Sequence, residues 1–285
     1  MSRDRFFKFA VLAFGLVVVA LAICLGWELL KNSHLAWSKF GLSFLYTSTW
    51  DPVQETFGAL PFIYGTLVSS ALALTLAVPL ALGSAIFLTE LAPRRISQAC
   101  AFLIELLAAI PSVVLGLIGI FILVPGVRAV ETMFQVTSYG VGMLAAGLIL
   151  SIMVLPYITS ISREVLMAVP QPLKEGMLAL GATRWEMIRQ VSLPYARSGI
   201  IGAVFLALGR ALGETMAVTM VIGNTPKISA SLLDPSYSMA AVIANELAEA
   251  TSDIHMHSLI AIALVLFGIT MIINGAARLL IDRLK

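Results

Sequence analysis

The chain has 285 residues, 59% of them hydrophobic and only 12% charged, with a formal net charge of +2. A soluble domain carries about 25% charged residues, so this composition cannot cover a water-facing surface and the outer surface must face lipid. The small positive balance reflects membrane topology and implies no nucleic-acid partner.

A hydrocarbon core about 30 Å thick takes about 20 apolar residues in a helix. Six runs qualify. Runs 9–27, 57–89, 133–162 and 254–277 hold no Asp, Glu, Lys or Arg; run 96–127 holds Glu105, and run 198–226 holds Arg210 and Glu214. All six are read as helices, because isolated strands leave backbone groups unpaired in lipid. The expected fold is therefore all-α and polytopic, with six transmembrane helices.

Arg3, Arg5 and Lys8 precede the first run, as in a signal peptide. The run is longer than a typical apolar signal core, and Glu28 and Lys31 follow it where a small-x-small site would stand. An uncleaved first span is expected. Cys24 and Cys100 lie in apolar runs without disulfide or metal spacing and are read as small core residues. The outer segment 28–60 carries Trp37, Tyr46 and Trp50, residues that suit a membrane-interface belt.

In the second run, Thr66, Ser69 and Ser70 form a small polar face. Helix packing is its commoner use; Thr66 is also kept as a candidate pathway residue. Pro79, Pro111, Pro125 and Pro156 interrupt the spans, which lipid tolerates when neighbouring helices satisfy the freed carbonyls. Glu105, about ten residues in from Arg95, is a candidate pathway residue nearer the cytoplasm.

Between the fourth and fifth runs lies a 35-residue segment, 163–197, with eight charges but also Leu173, Met177, Leu178, Leu180, Trp185 and Met187. A solvated linker needs none of these apolar side chains. Pro170 and Pro172 break the chain, 173–180 forms a short helix, Gly181 suits a left-handed stop, 183–191 forms a second helix and Pro194 starts the next element. The segment reads either as an amphipathic surface or as a docking element for a soluble partner, and helix, glycine stop and second helix favour docking.

The fifth run contains the sharpest signal. Twelve uncharged residues flank Arg210 and Glu214 on each side, an arm of about 18 Å. The pair is thus expected near the bilayer midplane, on one helix face by its spacing of four. A charge at that depth costs about 2.5–3.5 kcal/mol on insertion scales, so it needs a cavity or a partner. A guanidinium offers a fork of donors matched to phosphate oxygens. An anion pathway is therefore weighed against an internal ion pair that only fixes packing. Gly209 and Gly213 have the small-xxx-small spacing that lets another helix approach. Beyond the run, 223–253 holds one lysine and four acids, and His255 and His257 suit the interface better than a metal site.

Orientation follows from Lys and Arg. With the N-terminus inside, 13 fall on cytoplasmic segments, Lys285 among them, against 4 outside, with Arg210 buried in a span. Both termini are thus expected in the cytoplasm. No phosphate-cradling G-x-x-x-x-G-K-[ST], H-E-x-x-H or G-x-S-x-G occurs, so no catalytic site, metal or cofactor is expected on this chain.

The loop reads Glu175-Gly176-Met177, three residues, Gly181, nine residues, then Val191-Ser192-Leu193-Pro194. This resembles the cytoplasmic E-A-A-x3-G-x9-I-x-L-P loop of binding-protein-dependent ABC importer permeases; Glu175, Gly181, Leu193 and Pro194 match, and Gly176, Met177 and Val191 depart. Phe57-Gly58-Ala59-Leu60-Pro61, Ala109-Ile110-Pro111-Ser112, Gly209-Arg210-Ala211-Leu212-Gly213-Glu214-Thr215 and Gly223-Asn224-Thr225 are similar to the phosphate-specific permeases, the C-type subunit rather than its A-type partner. The resemblance implies a type I ABC importer permease (MetI-like) fold in a prokaryotic inner membrane: 1–60 with an added first span, 61–280 as the transmembrane domain with its coupling loop at 163–197, and a cytoplasmic tail at 281–285. It implies a second homologous permease, two cytoplasmic ATPase copies, an outer phosphate-binding protein and inorganic phosphate as cargo. ATPase docking would fall on Glu175, Gly181, Ala182, Trp185, Leu193 and Pro194, and phosphate passage on Arg210 and Glu214. A molybdate or sulfate permease fits the loop equally well, and an ATP-independent secondary transporter would also use midplane charges.

Overall fold

The structure, a computed structural model, describes residues 2–133 and 139–283. Lys285 and the 134–138 part of the fourth run lie outside the described residues.

Helix α1 (Ser2–Asn32) leads into the short α2 (His34–Phe40) and a two-stranded antiparallel hairpin, β1 (Trp50–Asp51) with β2 (Thr56–Phe57), in the register Trp50 opposite Phe57. Then follow α3 (Leu60–Ile86), α4 (Arg94–Ala108), α5 (Ser112–Ile118), α6 (Val124–Met133) and α7 (Met143–Met167). The loop helices α8 (Gln171–Ala179) and α9 (Arg184–Met187) precede α10 (Leu193–Leu212), α11 (Met216–Val221), the short α12 (Met239–Glu246) and the final α13 (Asp253–Arg283).

Six helical stretches among the described residues are long and apolar enough to cross a membrane: Phe6–Asn32, Leu60–Leu91, Ser112–Met133, Met143–Met167, Arg184–Leu212 and Asp253–Arg283. Two differ from the sequence reading. The third expected run breaks at Pro111, which has no N–H and holds Ile110 away from helical backbone. Its first part becomes α4, a separate helix, so Glu105 lies exposed on α4 and not inside the third span. The fifth span begins at Arg184, inside the loop, and ends at Leu212.

That early start has a local cause. Pro194 cannot donate a backbone hydrogen bond, and the helix absorbs the gap with a wide turn over Ile188–Ser192, where the Leu193 N–H reaches the Ile188 carbonyl. The second loop helix therefore runs on into span five as one rod.

The core is built on small residues. Ala73, Ala77, Ala81 and Ala85 form a ridge of four-residue spacing on α3, fully buried against α7 and α10. Ala203, Ala207 and Ala211 repeat the device on α10. In lipid, where greasy surface alone does not drive association, such ridges let helices approach and gain dispersion contact. Gly147 on α7 belongs to the same packing, since a Cβ there would press on Leu72 at 2.5 Å.

Gly209 and Gly213 do not serve close packing within this chain. A Cβ on Gly209 would meet only Asn274 Oδ1, at 3.9 Å, and one on Gly213 only the carbonyls of its own helix. The close-approach ridge of span five within this chain is the alanine row, two positions away.

A second cluster caps one end of the bundle, where α2, the hairpin, α12 and the start of α13 meet around Phe44, Phe57, Phe62 and Tyr237. Trp50, expected at a lipid interface, packs instead against Phe57 and Phe62, and its Nε1–H donates to Glu246 Oε2 at 2.9 Å. His255 is buried there, paired with Glu246 at 3.1 Å and stacked on Phe57. Tyr46 is exposed, as a belt residue would be, and Trp37 is half-buried. Cys24 is exposed on α1 rather than part of the core, because α1 lays almost none of its surface on the rest of the chain.

Candidate functional site

The charge pair in span five is arranged differently from the sequence expectation. Helix α10 stops at Leu212, and Gly213, Glu214 and Thr215 form a break before α11. Arg210 occupies the last turn of α10, where a cation faces the negative end of the helix dipole. Glu214 lies in the break, so the two do not share one helix face, and among the described residues they form no ion pair. Glu214 Oε1 instead accepts the Ala217 N–H at 3.3 Å and caps the start of α11.

Arg210 finds its partner on another span. Its guanidinium carbon stands 4.2 Å from the ring centroid of Tyr157 on α7, a cation–π contact. Its Nε is buried and has no hydrogen-bond acceptor among the described residues. An ionised fork is thus held by a ring that satisfies charge but accepts little hydrogen bonding. An oxyanion offers what the ring does not: full negative charge and in-plane acceptors. Tyr157 has no signature in the sequence beyond its place beside Pro156 in an uncharged span.

Thr66 stands apart from this region. Its hydroxyl donates to the Phe62 carbonyl at 2.8 Å and accepts the Met239 N–H at 2.8 Å, which ties α3 to the start of α12. Both capacities are used and the side chain is buried, which matches the packing reading of that polar face. Gly65, the residue before it, is glycine because a Cβ would run into the Tyr237 carbonyl. In the segment before α12 the Asp234 carboxyl is held below its ordinary value, first by the Ser229 hydroxyl at 2.6 Å and then by Lys227.

The loop between spans four and five keeps the expected first helix and glycine stop, while its second helix runs on past Pro194 into span five. Gln171–Ala179 is helical, and Gly181 takes φ +91°, the left-handed conformation that ends a helix. Thr183 and Glu186 then form a reciprocal capping box: the Glu186 N–H donates to Thr183 Oγ1, and the Thr183 N–H donates to Glu186 Oε2 at 2.7 Å. Glu175 is exposed and Ala182 half-buried. Leu173, Leu180 and Trp185 are exposed as well, Leu180 and Trp185 by 86% and 61%. Leu193 packs on the cluster around Leu166 and Ala196, while Pro194 is exposed. The loop thus turns apolar side chains outward on the side where 13 of the 18 cations of the chain are expected, which no lipid or solvent contact rewards.

Six spans, a cation parked beside a helix break and an apolar loop outside the spans describe a transport permease, a channel-forming part that works with others. Residues 77–285 match the binding-protein-dependent transport system inner membrane component family, and the chain belongs to that family. It is 45% identical to a phosphate transport system permease protein PstC of Mesorhizobium japonicum, over 99% of this chain and 90% of the relative. The PstC of Haemophilus influenzae is 42% identical over 99% and 94%, and the PstC 2 of Mycobacterium tuberculosis 38% over 96% and 90%. Among solved structures, a chain of the inward-facing MetNI methionine ABC transporter aligns with a TM-score of 0.63 at 15% identity, over 83% of this chain and all of that one. A chain of a bacterial ABC transporter that imports alginate aligns at 0.59 and 19%, over 96% and 98%. The fold is the ABC importer permease fold.

Proposed function

We propose that this chain is the permease subunit of an ATP-driven importer that moves inorganic phosphate into the cytoplasm. The observation that carries the reading is Arg210, a guanidinium at a helix break whose buried Nε lacks an acceptor and whose charge rests on the Tyr157 ring. Phosphate displaces the ring because it brings the acceptors the ring lacks. The relatives described above are named as phosphate permeases, which favours phosphate over molybdate or sulfate and over an ATP-independent carrier.

The remaining parts follow from this reading. Both termini face the cytoplasm, and the exposed loop residues Glu175, Trp185 and Leu180 dock a cytoplasmic ATPase, one of two copies. A second homologous permease closes the path. The open faces at Gly209 and Gly213 leave room for one of its helices, and Glu105, exposed on α4, lines the cytoplasmic side. A phosphate-binding protein docks on the outer face, formed by α2, the hairpin and α12. Glu214 discriminates between anions: its carboxylate accepts a hydrogen bond from the P–OH of the HPO4 dianion and repels sulfate, which has no such donor at neutral pH.

The test is phosphate uptake by the assembled transporter. Arg210→Ala abolishes uptake while the subunits still co-purify; unchanged uptake overturns the assignment. Glu214→Gln keeps the Oε1 acceptor for Ala217 and removes only the charge, so it lowers phosphate-over-sulfate selectivity with the helix break intact.

A further inference from the structure

Helix α8 is amphipathic in the wrong sense. Leu173 and Leu178 face outward, and its one buried residue is Lys174, 8% exposed. A lysine turned inward under apolar residues turned outward needs a specific partner, since an unpaired ammonium is costly to bury. The partner is Glu90, in the last turn of span two. Lys174 Nζ lies 2.7 Å from Glu90 Oε1, and the two side chains are 10% and 5% exposed. The Ser192 hydroxyl donates to the same oxygen at 3.0 Å, and Lys174 Nζ reaches the Leu166 carbonyl at 3.4 Å.

One small polar knot thus joins four pieces of chain: the cytoplasmic end of span two, the end of span four, the loop helix and the start of span five. Stability does not explain it. Replacing a buried ion pair by apolar residues of similar volume is often neutral or stabilising, whereas removing one member is strongly destabilising. What the pair supplies over an apolar contact is a single permitted arrangement of the four pieces.

We propose that Glu90, Lys174 and Ser192 are positioning residues that lock the loop helix to span two, so that span two moves with α8 as the transporter cycles. The proposal rests on the reading of α8 and α9 as the ATPase dock. That dock contacts spans four and five through the chain itself. Span two is remote in sequence and is reached through this knot. Without the knot, spans four and five would move with the dock and span two would not follow.

The experiment uses the whole assembled transporter in vesicles, read as phosphate imported per ATP hydrolysed. The first variant is Lys174→Met with Glu90→Leu, which keeps volume and removes both charges. It assembles and hydrolyses ATP, and imported phosphate per ATP falls about tenfold, the ordinary size of a coupling between two sites. The second is Lys174→Cys with Glu90→Cys in a Cys24→Ser, Cys100→Ser background, bridged by a short bifunctional thiol reagent. The unbridged form is as poorly coupled as the apolar variant, and bridging restores coupling, because the two positions travel together. Wild-type coupling in the unbridged form, or loss of transport on bridging, overturns the proposal. The docking reading is checked separately with Trp185→Asp, which loses ATPase co-purification. If Trp185→Asp keeps the ATPase bound, that reading fails whatever the cysteine pair does.

Discussion

The contact between Arg210 and Tyr157 invites the most direct perturbation. A cation over an aromatic face contributes about 0.5–1 kcal/mol when exposed and about 2 kcal/mol when desolvated. Arg210 is half-buried with its Nε fully so, and the ring lies 4.2 Å away, which puts this contact at about 1–2 kcal/mol. That is a factor of about 5–30 in the share of molecules with the guanidinium held at the break. Tyr157→Leu removes the ring and keeps an apolar side chain, so uptake into vesicles by the assembled transporter falls by about the same factor. Tyr157→Phe keeps the face and stays within about twofold of wild type. Equal losses in Leu and Phe would mean that the hydroxyl matters and the ring does not. Wild-type uptake by Tyr157→Leu would refute the positioning role outright.

Thr66→Val orphans the Met239 N–H at a cost of about 1–3 kcal/mol. The transporter then melts lower, with the phosphate KM unchanged and Thr66→Ser close to wild type. A shifted KM at unchanged melting temperature would place Thr66 in the pathway after all. A side chain on Gly181 meets nothing within 4 Å, so its substitution acts through the backbone alone. Gly181→Val costs about 1–3 kcal/mol of strain at φ +91° and lowers phosphate imported per ATP, while Gly181→Asn, which tolerates that region, does so less. The Tyr237 phenol is pushed up to about 12, first by burial and then by the negative charge of Glu246 and Glu249. A raised value stabilises the fold fully below the ordinary phenol pKa of about 10, and that contribution is lost as pH rises toward 12. The ultraviolet difference titration of wild type against Tyr237→Phe is therefore flat from pH 9 to about 11.

Much of this architecture is legible in the chain because it is local. Uncharged runs announce spans, and Pro170, Pro172 and Gly181 announce two helices and a turn, since every group involved lies within a few residues. Arg210 declares itself by cost alone. What the sequence conceals is contact between distant segments. Tyr157 meets Arg210 across 53 positions of chain, and Glu90 meets Lys174 across 84. Glu90 reads as an ordinary boundary charge just past an uncharged run. The break at Gly213 is concealed for another reason: twelve uncharged residues on each side of Arg210 and Glu214 let 198–226 read as one uninterrupted span. The buried ridge within the chain is concealed as well, because alanine at four-residue spacing looks like any helix.

These hidden contacts make sense of the visible ones. From the loop to the break, span five is a single helix, Arg184–Leu212, so Trp185 and Arg210 sit on one rod about 38 Å apart. A tilt imposed on the rod at Trp185 reaches Arg210 without a hinge between them. Tyr157 rides on a different helix, α7, whose own end is held to the loop through the Lys174 contact with the Leu166 carbonyl. The guanidinium and the ring that holds it are therefore mounted on two levers with a common pivot at the loop. Motion at that pivot that turns one lever against the other opens or closes the 4.2 Å contact. If the loop is the ATPase dock and Arg210 the anion site, as proposed above, such a motion releases the guanidinium from its ring without any change in the charge of either residue.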